Sequence, residues 1–174
     1  MSRNIIFQNF IRSLNDQRSR TLIMGIVNVT PDSFSDGGKY FTLQSAFKHS
    51  KNLIKDGADI IDIGGESSRP GSKPITFEEE LERTIPLISK IRANFPEQII
   101  SIDTTKSQIA EQAILSGANI INDISGLTFD DDMVKVALKY DVPLVVMHMQ
   151  GKPETMQDAP RYYNLIEDIK AFFE

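Results

Sequence analysis

Five short apolar runs in this sequence each close on polar side chains able to hold a small, hydrogen-bonding ligand. The run from Leu22 reaches Asn28 and enters Thr30-Pro31-Asp32-Ser33-Phe34-Ser35-Asp36-Gly37-Gly38, and the next leads through Asp62 into Gly64-Gly65-Glu66-Ser67-Ser68-Arg69-Pro70-Gly71-Ser72. The third closes on Asp103, the fourth on Asn122 and Asp123, and the fifth on Met147, His148 and Gln150. Carboxylates and amides can recognise a polar ring and place a cation, and Ser68 and Arg69 add donors on a glycine-rich loop. The chain has no Gly-x-x-x-x-Gly-Lys-Ser/Thr phosphate loop, no Gly-x-Ser-x-Gly elbow and no His-Glu-x-x-His zinc motif. Without a cysteine either, nucleophilic catalysis by the protein is disfavoured. Positioning and charge stabilisation would carry any reaction.

Plainer readings stand beside these. Asp103 could cap a helix beginning near Thr105, and strand-end Asp or Asn often serves to form a turn. His148 is as readily a satisfied strand-end histidine as a ligand contact, since it has no metal-spaced partner. His49 belongs to a helix and reads as structural or surface. The two loops rich in Gly, Pro and Ser could be connectors, although long loops over a rigid scaffold more often act as lids or specificity elements.

The elements that must position these residues alternate along the chain. Runs rich in Ile and Val predict strands at Leu22 to Val29, Asp59 to Ile63, Gln98 to Asp103, Asn119 to Ile124 and Val142 to Met147, each nearly all apolar as in a parallel sheet buried on both faces. Amphipathic stretches between them predict helices. Leu43, Ala46, Phe47, Leu53 and Ile54 form one stripe, and Gly57 sits where a left-handed cap belongs. Thr76 and Glu79 read as a capping box before Leu81, Ile85, Ile88 and Ile91, with a kink expected at Pro86. Asp130, Asp131 and Asp132 are expected to open the fourth helix, where the dipole favours acidic groups. Asn164 to Glu174 reads as a further helix still in progress. Such units build either an open doubly wound sheet or a closed barrel of eight strands, and in both the ligand binds at the carboxyl ends of the strands. Five units do not close a barrel, which typically takes about 250 residues. The last strand, near Val142 to Val146, would then be an aggregation-prone edge.

Composition narrows the partners. With 174 residues and 40% hydrophobic content, a single domain with one sizeable core is expected. Acidic residues outnumber basic ones by 24 to 19, so no global basic surface for nucleic acid or anionic membrane is expected. The absence of cysteine fits a reducing compartment, with the cytoplasm the simplest address. Residues 1–20 lack the pattern of a signal peptide, and no apolar run is long enough to cross a membrane.

Two segments carry a specific resemblance. Met24-Gly25-Ile26-Val27-Asn28-Val29-Thr30-Pro31-Asp32-Ser33-Phe34-Ser35-Asp36-Gly37-Gly38 resembles the first signature of the dihydropteroate synthases, and Gly57-Ala58-Asp59-Ile60-Ile61-Asp62-Ile63-Gly64-Gly65-Glu66-Ser67-Ser68-Arg69-Pro70-Gly71 resembles the second. Ser101 to Thr104, Ile121 to Gly126 and Met147 to Gly151 are similar to further family segments in the same order. The resemblance implies a (β/α)8 barrel of which residues 22–174 supply about the first five units, preceded by an N-terminal segment, residues 1–21. It implies magnesium-assisted condensation of hydroxymethyl-dihydropterin pyrophosphate with p-aminobenzoate, giving dihydropteroate and pyrophosphate in folate biosynthesis. Carried over by motif, Asn28 meets magnesium and pyrophosphate, while Asp103, Asn122, Ile124 and Met147 line the pterin pocket. Phe34 and Pro70 give p-aminobenzoate apolar contact, Ser68 and Arg69 polar contact, and sulfonamides compete there. Asn28, Asp103 and Arg69 are the residues expected to carry catalysis. Family members commonly have Thr at the position of Ser68, a change that keeps the hydroxyl. The family's later strands add an aspartate, a lysine and an Arg-x-His segment that these residues do not contain, and the homodimer expected of the complete family protein is formed mainly by later helices. Two rivals remain: a methyltetrahydrofolate-dependent methyltransferase barrel, which lacks the Thr30 to Gly38 and Ser67 to Gly71 loops, and a non-catalytic pterin-binding fragment.

Overall fold

A computed structural model describes residues 12, 20–30, 43–67, 74–152 and 155–174. Phe34, in the segment after the first strand, and Ser68, Arg69 and Pro70, in the segment after the second, lie outside the described residues. All five strands are present: β1 Met24–Asn28, β4 Ile120–Asp123 and β5 Leu144–Val146 are trimmed at both ends, β3 Ile99–Asp103 at its start only, and β2 Ile60–Gly64 is shifted one residue on. Between and after them run α1 Leu43–Lys55, α2 Phe77–Asn94, α3 Ser107–Ser116, α4 Met133–Tyr140 and α5 Leu165–Phe173.

The sheet is parallel throughout and its spatial order is its chain order, β1-β2-β3-β4-β5. A doubly wound sheet reverses order at a switch point; this one does not, so the arrangement is an arc of a (β/α) barrel with successive helices α1 to α4 side by side on its outer face. Outward side chains of the strands, among them Val27, Ile61, Ile63, Ile100, Ile102 and Ile121, pack with Ala46, Leu87, Ile88, Ile91, Ile109 and Ala113 of the helices in one core. Fully burying each such isoleucine contributes about 1.5–3 kcal/mol. Inward side chains behave differently. Ile60, Ile99 and Ile120, with Met24 against them, form a separate small apolar cluster that floors the barrel interior.

Expected burial on both faces holds for β2, which is buried along its whole length, but not for the two edges. In β1 and β5 every second residue is open, with Ile26 59% and Val145 43% exposed, because each edge strand has a neighbour on one side only among the described residues.

Local chemistry explains the helix ends. Thr76 accepts from the Glu79 N–H at 3.2 Å and Glu79 accepts from the Thr76 N–H at 3.1 Å, the reciprocal box expected. The α2 helix runs on through Pro86. Gly57, at φ +101°, follows α1 with the N–H of Ala58 bonded back to Leu53, as a left-handed cap requires. The run Asp130 to Asp132 opens α4 as expected, with Asp132 at the N-cap just before Met133, although its side chain makes no cap bond; Asp130 also accepts from the Ser107 N–H at 2.7 Å. Asp130 therefore caps the preceding helix, α3, whose own N-cap Lys106 makes no such bond. Burial works against the Asp130 carboxylate, but the backbone donors outweigh it and hold its pKa below the ordinary value. The segment beginning at Asn164 is a helix, and Asn164 accepts from the Glu167 N–H.

Candidate active site

Parallel register brings the predicted strand-end residues into one row. Asn28 lies beside Gly64, Gly64 beside Asp103 and Asp103 beside Asn122, all on the interior side of the arc at its carboxyl end. Gly64 is the reason the row can close up. A Cβ built there would lie 3.0 Å from Asn28 Oδ1 and 3.3 Å from Asp103 Oδ2, so only glycine lets both oxygens approach the same point without crowding. One level down, Ile26, Asp62 and Ser101 occupy the next inward row. Ile120 continues that row beside Ser101, and it packs on Ile60 and Ile99, which with Met24 lie below as an apolar floor.

This stack turns a strand-end pattern into a polar pocket on a dry base. Asn122 Nδ2 donates to Asp62 Oδ2 at 3.1 Å, which orients the amide and leaves its oxygen free to accept. Asp62 Oδ1 and Ser101 Oγ are buried with no partner among the described residues. Buried polar atoms are nearly always satisfied; the Ser101 hydroxyl lies close enough to stabilise the Asp62 carboxylate, and a ligand or ordered water would complete the pair. Burial pushes the Asp62 carboxyl above its ordinary value, and the neighbouring Ser101 hydroxyl and Asn122 amide offset this only in part. Asp103 is pushed up to about 7, first by burial and then by the carboxylates of Asp62, Glu80, Asp123 and Glu66 around it. A carboxyl so placed is ready to ionise when donors arrive.

The plainer reading of Asp103 as a helix cap does not hold, because α3 begins at Ser107 and takes its cap from Asp130. Ile124 and Met147, half-buried, lie just past the ends of β4 and β5 at the same end of the barrel. The Met147 N–H donates to Asp123 O at 3.3 Å, which brings the two strand exits together. Three members of the expected polar ring serve the framework instead. Asp123, completely buried, accepts from Ser125 N–H, Ser125 Oγ and Leu127 N–H and so holds the turn after β4. Gln150 is paired at both ends of its amide with the backbone of Arg161. His148 packs edge-on against Phe172, ring centres 4.8 Å apart, and beside Tyr162. His49 is exposed on α1, in keeping with its surface reading. Phe34, Ser68, Arg69 and Pro70 lie outside the described residues.

Asp62 and Ser101 were not among the predicted contacts. Their signal was in the sequence: each is the single polar break in an isoleucine run, Ile60-Ile61-Asp62-Ile63 and Ile99-Ile100-Ser101-Ile102, two positions from the strand's own terminal site residue. Period-two alternation then puts it on the same face. As for metal, no three His, Cys, Asp or Glu side chains converge among the described residues. Asn28 contributes one exposed oxygen.

Comparison with known proteins agrees with this architecture. Residues 24–174 match the family model described as pterin binding enzyme. The chain is 53% identical over 150 residues to a dihydropteroate synthase of Clostridium beijerinckii, covering 86% of this chain and 53% of that one. It is 46% identical over 162 residues to a dihydropteroate synthase of Synechocystis, covering 93% of this chain and 56% of the relative. The chain thus spans about half the length of the curated relatives it matches. Among solved structures, a Yersinia pestis dihydropteroate synthase in complex with a sulfonamide drug superposes with a TM-score of 0.81 at 42% identity, over 88% of this chain and 55% of the other. A Clostridium difficile dihydropteroate synthase in the presence of pteroic acid gives 0.80 at 46% identity, over 91% and 57%. Those structures are barrels of the kind whose arc is seen here, and the family match starts with the first residue of β1; the chain belongs to the pterin binding enzyme family.

Proposed function

We propose that this chain carries the pterin-binding side of a dihydropteroate synthase active site, condensing hydroxymethyl-dihydropterin pyrophosphate with p-aminobenzoate. The row Asn28, Gly64, Asp103, Asn122 above a dry floor is the observation that carries the reading. A pterin's amino-pyrimidine edge offers paired N–H donors. Asp103 accepts them as a charge-assisted bond and Asn122, steadied by Asp62, supplies an acceptor oxygen and its second N–H. Ile124 and Met147 give the ring faces apolar cover.

In the reaction the bond from the pterin's methylene carbon to the pyrophosphate oxygen breaks, and the bonding electrons leave with pyrophosphate. The cation left on the pterin is stabilised by the acidic pocket around Asp103. The amine of p-aminobenzoate then forms the new carbon–nitrogen bond and loses one proton. Magnesium that keeps its waters and binds through substrate phosphates needs only one or two protein oxygens, so the single oxygen of Asn28 fits such an ion. When bound, it neutralises the leaving group. Ser68, Arg69, Phe34 and Pro70 are assigned to p-aminobenzoate on the family motif, and sulfonamides are expected to compete with it. Residues 22–174 would form the barrel part and 1–21 precede it, in a cytoplasmic homodimer, an address supported by the cysteine-free composition.

The test is to supply the protein, as its own cell makes it, with both substrates and follow dihydropteroate. Wild type should form it, and Asp103→Asn and Asn122→Ala should lose most of the rate. Methyl transfer from methyltetrahydrofolate with no dihydropteroate formed would move the reading to the rival barrel. Pterin binding with neither reaction would leave a non-catalytic binder.

A further inference from the structure

The exits of β4 and β5 share a contact that the proposed chemistry does not use. After β4 the chain turns through Gly126 and Leu127, both left-handed at φ +63° and +69°. For Leu127 that backbone is strained, and it persists only where the surroundings hold it. Asp123 supplies part of the hold. Its carboxylate accepts from the N–H groups of Ser125 and Leu127, and its carbonyl accepts from those of Gly126, at 3.2 Å, and Met147, at 3.3 Å.

Helix α5 supplies another part. A Cβ at Gly126 would lie 2.5 Å from Phe172 Cζ, 2.6 Å from Phe172 Cε1 and 2.7 Å from Met147 O, so the missing side chain leaves a socket that the Phe172 ring fills. The same ring meets His148 edge-on, with centres 4.8 Å apart. No residue of α5 is fully buried. Phe172 is thus placed by its seat on the backbone of two strand exits and not by deep packing in the core. Position gives this seat its consequence: Gly126 stands two residues after Ile124, and His148 follows Met147 directly. Those two apolar side chains are the ones assigned to cover the pterin ring.

We propose that Phe172 is a positioning residue: seated on Gly126 and Met147 O, it locks the exits of β4 and β5 together and so fixes Ile124 and Met147 for the pterin. The affinity half of this inference rests on the function proposed above. The backbone half does not.

The test compares Phe172→Ala and Phe172→Leu in the protein as its own cell makes it. Three quantities are read: amide exchange at Gly126 and Met147, the Kd for hydroxymethyl-dihydropterin pyrophosphate, and the KM for p-aminobenzoate. An aromatic contact of this kind corresponds to about tenfold in an equilibrium. Phe172→Ala should therefore speed exchange at the two amides by about tenfold, leave the amides of β2 and β3 unchanged, and raise the pterin Kd by about tenfold. The KM for p-aminobenzoate should stay within about twofold. Phe172→Leu, which still fills the socket with apolar atoms, should recover most of the loss. If Phe172→Ala does not fold, Gly126→Ala decides, because its methyl cannot share the socket with the ring and should produce the same pattern. Unchanged exchange at Gly126 and Met147 would overturn the proposal, as would faster exchange with an unaltered pterin Kd, or a lower melting temperature with neither altered. Should the wild type bind no pterin, the function reading fails by itself. Faster exchange in Phe172→Ala would then still uphold the lock between the two exits, and equal exchange would overturn it.

Discussion

In the proposed site the elevated pKa of Asp103 would make pterin affinity depend on pH in a defined way. In the free protein its carboxyl is pushed up to about 7 from an ordinary 3.8, by burial first and by four neighbouring carboxylates after it. A pterin bound as proposed would donate N–H groups to the ionised form, so only the ionised fraction would be competent and the apparent Kd would be the intrinsic Kd divided by that fraction. At about pH 8 most of the protein is competent; at about pH 6 only roughly a tenth is, so affinity should fall about tenfold, and again by about tenfold near pH 5. Calorimetric titration of a pterin over this range reads the slope directly. Asp103→Asn, which cannot titrate, should bind more weakly at pH 8 and show no such slope. A flat wild-type profile, or an equal slope in Asp103→Asn, would refute the reasoning. The stability of the unliganded protein should move in the opposite sense. Because the folded pKa is raised, the native state holds an extra proton between about pH 4 and 7, so the contribution of Asp103 to stability falls as pH rises through that window. Asp103→Asn should then be more stable than wild type at about pH 8, with an upper bound of about 4 kcal/mol.

Other substitutions probe the framework. Gly64→Ala should weaken ligand binding more than it weakens the fold, because the new methyl lies 3.0 Å from Asn28 Oδ1 and 3.3 Å from Asp103 Oδ2; comparing Kd with the urea midpoint checks this. Asp130→Ala removes the bond from the Ser107 N–H at 2.7 Å and should cost about 1 kcal/mol in urea unfolding. Arg92→Ala loses bonds to Gly117 O, Pro96 O and Asn119 Oδ1 that lock α2 to the turn before β4, and should cost about 2–3 kcal/mol by the same measure. A polypeptide of residues 1–174 expressed alone should self-associate through the open edge at β5, where Val145 is 43% exposed; a sharp, reversible urea transition of a monomer in a sedimentation-checked sample would contradict this.

The sequence disclosed strands and helices well because its isoleucine runs and its capping residues obey local rules: Thr76 with Glu79, and Gly57, do what their types dictate. Register was less open to reading. Whether Asn28, Asp103 and Asn122 share a row depends on parallel pairing with Gly64 between them, a tertiary fact that no single segment contains. For the same reason Asp123 and Gln150, polar and at strand ends like the others, read as ring members in sequence although their groups bond to backbone of the loops that follow. Asp130 caps a helix 23 residues earlier in the chain, which no local pattern encodes. Glu80 and Lys106 look like solvated surface charges in sequence and become a buried bridge only when α2 packs on Gly65.

The central claim is that the row of Asn28, Gly64, Asp103 and Asn122 receives the pterin. Its most direct test is a crystal structure of the protein, as its own cell makes it, with a pterin bound. The account predicts the amino-pyrimidine edge within hydrogen-bond distance of Asp103 and Asn122, above the Met24, Ile60, Ile99 and Ile120 floor. A pterin seated elsewhere, for instance in the open groove of about 610 Å³ formed by Ala58, Asp59 and Asn94 to Gln98 at the opposite end of the strands, would contradict it.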